Sequence, residues 1–286
     1  MTKATAGLDI QPLSEVIGAQ VKGIDLSEPL DSDTVAAITD AWHEHIVLLF
    51  RDQEIDADQQ IAFAENFGDV GVRSRPAERR PEGADYNASI MLVSNVKKNG
   101  EYIGSLPDGE MWFHHDMCYD KAPHKGTFLY AMELPSTGGN TLFANMYSAY
   151  EKLSEITKER ILGKRALQIY DFATRETVDI SDDISKYKHE VQPVTITHPV
   201  TGRRALYVNP LITARIEDMP DSGSRTMLDE LFSFANDKSI AYEHVWKKGD
   251  LMMWDNWCSC HARTDFPASE RRMLRRCTVK GQQLHE

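Results

Sequence analysis

The sequence is poor in the residues that most often announce a function. Its 286 residues include only 4 cysteines and 10 histidines. Cys118, Cys258, Cys260 and Cys277 are spaced neither as a disulfide framework nor as a zinc pattern, which points to a reducing, cytoplasmic setting. No apolar run reaches eighteen residues, so no segment reads as a bilayer span. The amino end, MTKATAGLDIQPL, lacks the apolar core of a signal peptide. Positive charge is scarce as well: 32 Lys and Arg stand against 44 Asp and Glu, a net charge of -12 with a pI near 5.3. Such a surface repels nucleic acid and anionic lipid, and no basic, aromatic stripe offsets it. Neither nucleic acid nor membrane is an expected partner.

What is present fits a large folded core: 41% hydrophobic and 27% charged residues. In LSEPLDSDTVAAITDAWHEHIVLLF the Val35, Ile38, Trp42 spacing predicts a helix, followed by a buried strand in HIVLLF. DADQQIAFAENFG reads as a short helix stopped by Gly68. Residues 72–110, rich in Arg, Pro, Gly and Asn, read as a partly irregular segment that covers a site. KGTFLYAMEL and TLFANM read as strands, and MYSAYEKLSEITKERILG as one amphipathic helix. VQPVTITHPVTGRRALYVN predicts two strands around a Thr-Gly turn. SGSRTMLDELFSFAND predicts a helix capped by Ser222 or Ser224. WKKGDLMMWD and RRMLRRCTV give the last strands. Many strands without strand-helix alternation exclude a doubly wound sheet and favour a mainly β core, sandwich or barrel-like, with surrounding helices.

MWFHHDMCY holds the first chemical signal. On a strand, His114 and Asp116 face the same side and His115 the other. His261, after an apolar strand and before the last one, is the best third partner. Two histidines and one carboxylate form the facial set of non-haem Fe(II) oxygenases, which leaves coordination positions open. In isolation the pair is weak evidence and reads first as a histidine hydrogen-bonded to an aspartate. The set His43, His45, His124, His189, His198, His244 and His285 is read as non-ligands. In the last strand Arg272 and Arg276 share a face, with Arg271 and Arg275 on the other. A guanidinium matches a carboxylate fork, although the cluster alone also fits a solvated strand edge.

In combination these segments resemble the taurine dioxygenase and 2,4-D dioxygenase family (TauD/TfdA) of Fe(II)/2-oxoglutarate-dependent oxygenases. HHDMCYDKAPHKGTFLYAMELPSTGGNTLFANMYSAYEKL resembles its His-x-Asp and Gly-Gly-Asp-Thr region. HPVTGRRALYVN resembles its central segment. WKKGDLMMWDNWCSCHARTDFPASERRMLRRCTVKG resembles its third-ligand and arginine region, and VLLFRDQEIDADQQIAFAENFG matches near the amino end. The resemblance runs over about residues 8–281. It implies a double-stranded β-helix (jelly roll) with helices around it, taken as one domain over 1–286. It implies His114, Asp116 and His261 as iron ligands, Arg272 with Thr141 at the distal carboxylate of 2-oxoglutarate, and Arg276 near the substrate anion or the cosubstrate.

The implied reaction hydroxylates a small organic acid (a sulfonate, an aryloxyalkanoate or an amino-acid-like acid) with O2 as second cosubstrate, releasing succinate and CO2. The same ligands also serve desaturation, epoxidation and hydroxylation-driven cleavage. A cupin-like metal-binding protein and a zinc hydrolase are the competing classes. Three departures bear on the substrate. Asn140 stands where GGDT is common. Trp257 replaces a usual arginine, beside Cys258 and Cys260, and either packs the core or narrows the cavity. FGDVGVRSR carries Arg73 and Arg75 rather than histidines suited to a sulfonate, so Arg73, Trp257 and Arg276 are the expected substrate contacts. The apolar groups of MWFH and MMWDNW are compatible with a homo-oligomer.

Overall fold

The computed structural model describes residues 8–73, 75, 77–83, 86–171, 178, 180 and 183–286. The first seven residues of the amino-terminal segment, and residues 74, 76, 84 and 85 of the expected covering segment, lie outside them. Along the chain run β1 (Asp9–Pro12), β2 (Ala19–Lys22), α1 (Ser32–His45), β3 (Val47–Phe50), α2 (Ala57–Glu65), β4 (Met91–Ser94), β5 (Lys97–Lys98), β6 (Glu101–Tyr102), β7 (Met111–His114), β8 (Gly126–Glu133) and β9 (Thr141–Asn145). There follow α3 (Met146–Glu151), α4 (Glu155–Ile161), β10 (Arg165–Tyr170), β11 (Lys188–Pro193), β12 (Thr195–Thr197), β13 (Arg204–Leu206), β14 (Thr213–Ile216), α5 (Asp221–Leu231), β15 (Ala241–His244), β16 (Leu251–Asp255), β17 (Ser259–Arg263) and β18 (Met273–Val279).

Two sheets carry the architecture. The larger has seven strands in the order β1-β2-β3-β16-β8-β18-β4, and the smaller has four in the order β15-β9-β17-β7. Beyond the consecutive β1-β2-β3, sequence neighbours are separated and distant segments interleaved, as in a double-stranded β-helix. The two sheets meet through side chains: Phe143 of β9 lies edge-on to Trp254 of β16 at 5.3 Å, and Trp254 lies 4.8 Å from His261 of β17. The same contacts exclude water from between the sheets, the main source of their stability.

Local chemistry explains the helices. Asp31 accepts the Thr34 N–H and caps α1, whose buried side is Ala37, Ile38, Ala41 and Trp42. Asp56 and Gln59 form a reciprocal capping box at the start of α2. The single helix expected over MYSAYEKLSEITKERILG is two: α3 ends at Glu151, and Ser154 starts α4 by accepting the Thr157 N–H. A serine that competes for backbone donors favours a new cap over helix continuation. Neither Ser222 nor Ser224 caps α5. Pro220 precedes the helix without a side-chain cap bond, and the buried Ser224 hydroxyl accepts the Ile216 N–H instead.

The last strand is not a solvated edge. β18 lies between β8 and β4. The arginines in β18 (Arg275, Arg276) and just before it (Arg271, Arg272) meet different surroundings. Arg275 is buried against α2, donating to the Gln60 side chain at 2.7 Å and to the carbonyls of Ile55 and Asp56. Arg271 pairs with Glu133 at the surface, at 2.6 Å. Arg272 and Arg276 line a cavity of about 160 Å³.

Candidate active site

β7 and β17 bring two histidines together. His114 lies directly opposite His261 in their antiparallel pairing, and their ring centroids are 4.1 Å apart. Beyond that pair the register slips: Met111, three residues before His114, lies opposite Arg263, two residues after His261. The bulge breaks the two-residue alternation, so Met111 and His114 both line the cavity. Asp116 is not on the strand. It sits in the turn after it, next to Met117 with φ of 61°. A turn rather than strand alternation therefore returns its carboxylate to His114, with Oδ1 4.0 Å from Nε2. One ligand atom each from His114, Asp116 and His261 lies within 4.8 Å of the others.

Each group is prepared for a cation. The Trp112 carbonyl lies 2.9 Å from His114 Nδ1 and accepts its proton, which leaves Nε2 as the lone-pair nitrogen. Burial lowers the pKa of His114 and, further still, that of His261, so both imidazoles are neutral near pH 7. Burial pushes the Asp116 carboxyl up, but contributions led by Arg276 and including the Thr127 hydroxyl bond hold it well below the usual carboxylate range. His261 Nδ1 is buried without a hydrogen-bond partner among the described residues. Two neutral imidazoles, one ionised carboxylate and an orphaned ring nitrogen fit a divalent ion.

Around this set lie residues that sequence reading missed. Thr127 donates to Asp116 Oδ2 at 2.8 Å and accepts from Asn256 at 2.9 Å. A threonine in an otherwise apolar buried strand was the available signal. His115 also borders the cavity but is not part of the set. It is fully buried, with Nδ1 3.2 Å from Cys260 Sγ, and its ring lies 4.4 Å from Tyr207. A second group, His198, Asp255 and Cys258, also lies close together. There both imidazole nitrogens are engaged: Nε2 with Asp255 at 3.0 Å, and Nδ1 accepting the N–H groups of Val200 and Thr201. It is a structural network.

Arg272 is 2% exposed and lines the same cavity as the His-Asp-His set. Its guanidinium donates to the Gly139 carbonyl from Nε at 3.2 Å and from Nη2 at 2.9 Å, and has no carboxylate partner among the described residues. Burial, then Arg263 nearby, brings its pKa down to about 9, so it remains cationic at neutral pH. A buried charge left unpaired is costly, and an incoming carboxylate relieves that cost. Gly139 has φ of 63°, and a Cβ there would lie 2.8 Å from Arg272 Nε. The glycine thus permits the approach. Thr141, also in the lining, accepts the Trp246 indole N–H at 3.0 Å.

Arg276 lies 3.3 Å from Asp116 Oδ2. Arg73 reaches the cavity but is held by Glu82 at 2.6 Å. Arg75, Ser89, Met91, Val93, Ser105 and Leu106 also line it, so residues 72–110 contribute one wall. Trp257 is not brought to the cavity. It is buried, its indole N–H donates to the Pro123 carbonyl at 3.2 Å, and its ring packs against His198. The expected substrate contact at Trp257 is therefore corrected to core packing. The rest of the lining is largely apolar and includes Tyr119 and Tyr170, stacked with centroids 5.2 Å apart.

The family model described as "Taurine catabolism dioxygenase TauD, TfdA family" matches residues 9–278. The chain belongs to the TauD/TfdA dioxygenase family. It is 34% identical to pentalenolactone F synthase of Streptomyces avermitilis, over 91% of this chain and 90% of that one. It is 33% identical to the alpha-ketoglutarate-dependent 2,4-dichlorophenoxyacetate dioxygenase of Cupriavidus pinatubonensis, over 94% and 96%. Among solved structures it resembles AAD-2 in complex with Mn(II) and N-oxalylglycine, with a TM-score of 0.77 and 29% identity over 99% of both chains. A taurine dioxygenase from Burkholderia xenovorans gives a TM-score of 0.79 at 26% identity, over 96% of this chain and 91% of that one. This family member is accordingly an Fe(II)/2-oxoglutarate-dependent dioxygenase with a double-stranded β-helix core. Among the described residues, no helix is long and apolar enough to cross a membrane.

Proposed function

We propose that His114, Asp116 and His261 hold Fe(II), that Arg272 and Thr141 receive the distal carboxylate of 2-oxoglutarate, and that a small organic acid is hydroxylated beside them. The observation that carries the reading is the buried Arg272 guanidinium, without a carboxylate of its own among the described residues, in one cavity with the His-Asp-His set. When bound, Fe(II) with 2-oxoglutarate and O2 supplies oxidative decarboxylation to succinate and CO2 and places one oxygen atom in a substrate C–H bond.

The protein's part is placement and charge. The Trp112 carbonyl keeps the proton on His114 Nδ1. Thr127 and Arg276 fix one oxygen of Asp116 and leave the other toward His114. Arg272 sets the depth and direction of the cosubstrate, because its own position is fixed by the Gly139 carbonyl. Residues of the 72–110 segment close the cavity over the substrate and limit water. A zinc hydrolase would have no use for Arg272. The four cysteines are buried free thiols, a state that a reducing cytoplasm maintains.

The test uses binding and turnover separately. Mn(II)-loaded protein should bind N-oxalylglycine, and Arg272→Met should weaken that binding at least a hundredfold while Mn(II) affinity stays within about threefold. Supplied with Fe(II), 2-oxoglutarate and O2, the wild type should form succinate faster when a suitable organic acid is added. Binding of N-oxalylglycine that ignores Arg272 would contradict the assignment, as would the absence of acid-stimulated succinate across a broad panel.

A further inference from the structure

Arg73 and Arg75 enter the cavity from the same segment, but their surroundings differ. Arg73 Nη1 lies 2.6 Å from Glu82 Oε2, in a pair whose side chains are 8% and 0% exposed. The other Glu82 oxygen accepts the Leu92 N–H at 2.8 Å, so the pair is tied to β4. Arg73 is therefore neutralised and immobile. Arg75 is half-buried, its backbone carbonyl held by Arg80 at 3.0 Å. Its guanidinium makes only a long contact to the Ser105 hydroxyl, at 3.4 Å, and has no carboxylate within salt-bridge distance among the described residues. Among the described residues the lining holds five arginines and one carboxylate, Asp116, which Thr127 and Arg276 already engage. The lining also includes the apolar side chains of Met91, Val93 and Leu106.

We infer that Arg75, not Arg73, binds the substrate, and that the substrate is an apolar molecule with one anionic group and no amine. The inference rests on the Fe(II)/2-oxoglutarate reading and narrows its substrate class. An uncompensated, partly desolvated guanidinium gains most from an anion that satisfies its donors. An ammonium entering this cavity would give up its hydration, find among the described lining residues only the already engaged Asp116 carboxylate, and meet arginine charges of its own sign. Of the acids considered from sequence, this retains sulfonates and aryloxyalkanoates and removes amino-acid-like zwitterions. A negative device, repulsion of the amine, thus adds to the attraction of the anion.

Two matched series test it by calorimetry on Mn(II)-loaded protein with N-oxalylglycine: phenoxyacetate, phenoxyacetamide and phenylalanine; and hexanesulfonate, hexanesulfonamide and 6-aminohexanesulfonate. In at least one series the anion should bind ten times or more tighter than both its neutral and its amino counterparts. Arg75→Gln should bring the anion down to the affinity of the neutral compound, with an unchanged melting temperature showing that the fold is retained. The double variant Arg73→Gln/Glu82→Gln, which removes the pair together, should keep the anion preference. The inference is overturned if R75Q retains the preference, if only the double variant loses it, if an amino compound binds as well as its anion, or if neither anion binds the wild type. Repeating the titrations without metal or N-oxalylglycine separates the two readings. Loss of N-oxalylglycine binding alone sinks the cosubstrate assignment, whereas loss of the Arg75-dependent preference sinks this one.

Discussion

His114 and His261 face each other across a single strand pair, 147 residues apart in the chain, with ring centroids 4.1 Å apart. A one-residue slip of either strand would turn one imidazole away from the cavity. Here the register is fixed by a bulge, and Asp116 is added from the following turn. His114→Ala should therefore reduce Mn(II) affinity at least a hundredfold. His115→Ala removes a fully buried ring from Cys260 and Tyr207 and should cost about 2–3 kcal/mol of stability, with less than tenfold loss of metal affinity. Metal titration and urea unfolding of both variants check this. Equal loss of metal affinity would show that the two side chains do not separate as described.

Thr127 acts on the metal through Asp116. Thr127→Val keeps the shape and deletes the 2.8 Å bond to Oδ2. Metal affinity should fall about 10- to 100-fold, the range for a partner that orients a ligating group. Thr127→Ser should restore most of it. A valine variant with wild-type affinity would show that Arg276 alone orients the carboxylate.

Gly139 is strained for any other residue in two ways, by its φ of 63° and by the nearness of Arg272. Gly139→Ala should lower stability by about 1 kcal/mol or more. It should weaken N-oxalylglycine binding by at least tenfold, because the guanidinium must shift. Binding measured on the Mn(II)-loaded variant decides the point, and an unchanged affinity would mean that Arg272 is positioned without Gly139.

Acid should weaken the metal-free fold through histidines outside the ligand set. Burial, with Lys125 nearby, lowers the pKa of His43, and burial, with Arg276 nearby, lowers that of His124. Unfolded, each takes up a proton near its ordinary value of about 6.5; folded, each does so only at lower pH. Between those points the unfolded chain binds more protons, so stability is lost as pH falls below about 6.5. The urea midpoint should drop between pH 7.5 and 5.5, and by less in His43→Gln. A midpoint that is flat or rises toward pH 5.5 would contradict the sign.

Much of the fold was legible because its signals are local. The Val35, Ile38, Trp42 stripe lies within two turns, and α1 formed where it predicts. The His-x-Asp step and the His261 position were legible through their match to a family pattern, and the pairing of Arg272 with Arg276 through their four-residue spacing. The failures have local competitors as their cause. Ser154 recaptured backbone donors and divided one predicted helix. Ser224 spent its hydroxyl on a strand amide rather than a cap. Asp116 was expected on a strand face and arrives there by a turn. Trp257 was expected at the substrate and is held in the core by the Pro123 carbonyl.

The sequence by itself determined the element types, the inventory of ligating and cationic groups, and the face on which each strand arginine would fall, because these depend on composition and short periodicities. Only the tertiary structure decided what each charge meets. Arg73 and Arg75 are two residues apart and chemically identical, yet Glu82 neutralises one while the other lines the cavity with no carboxylate partner among the described residues. Pairing of buried charges is set by distances between segments remote in the chain, and Coulomb energy depends on those distances and on the exclusion of water around them.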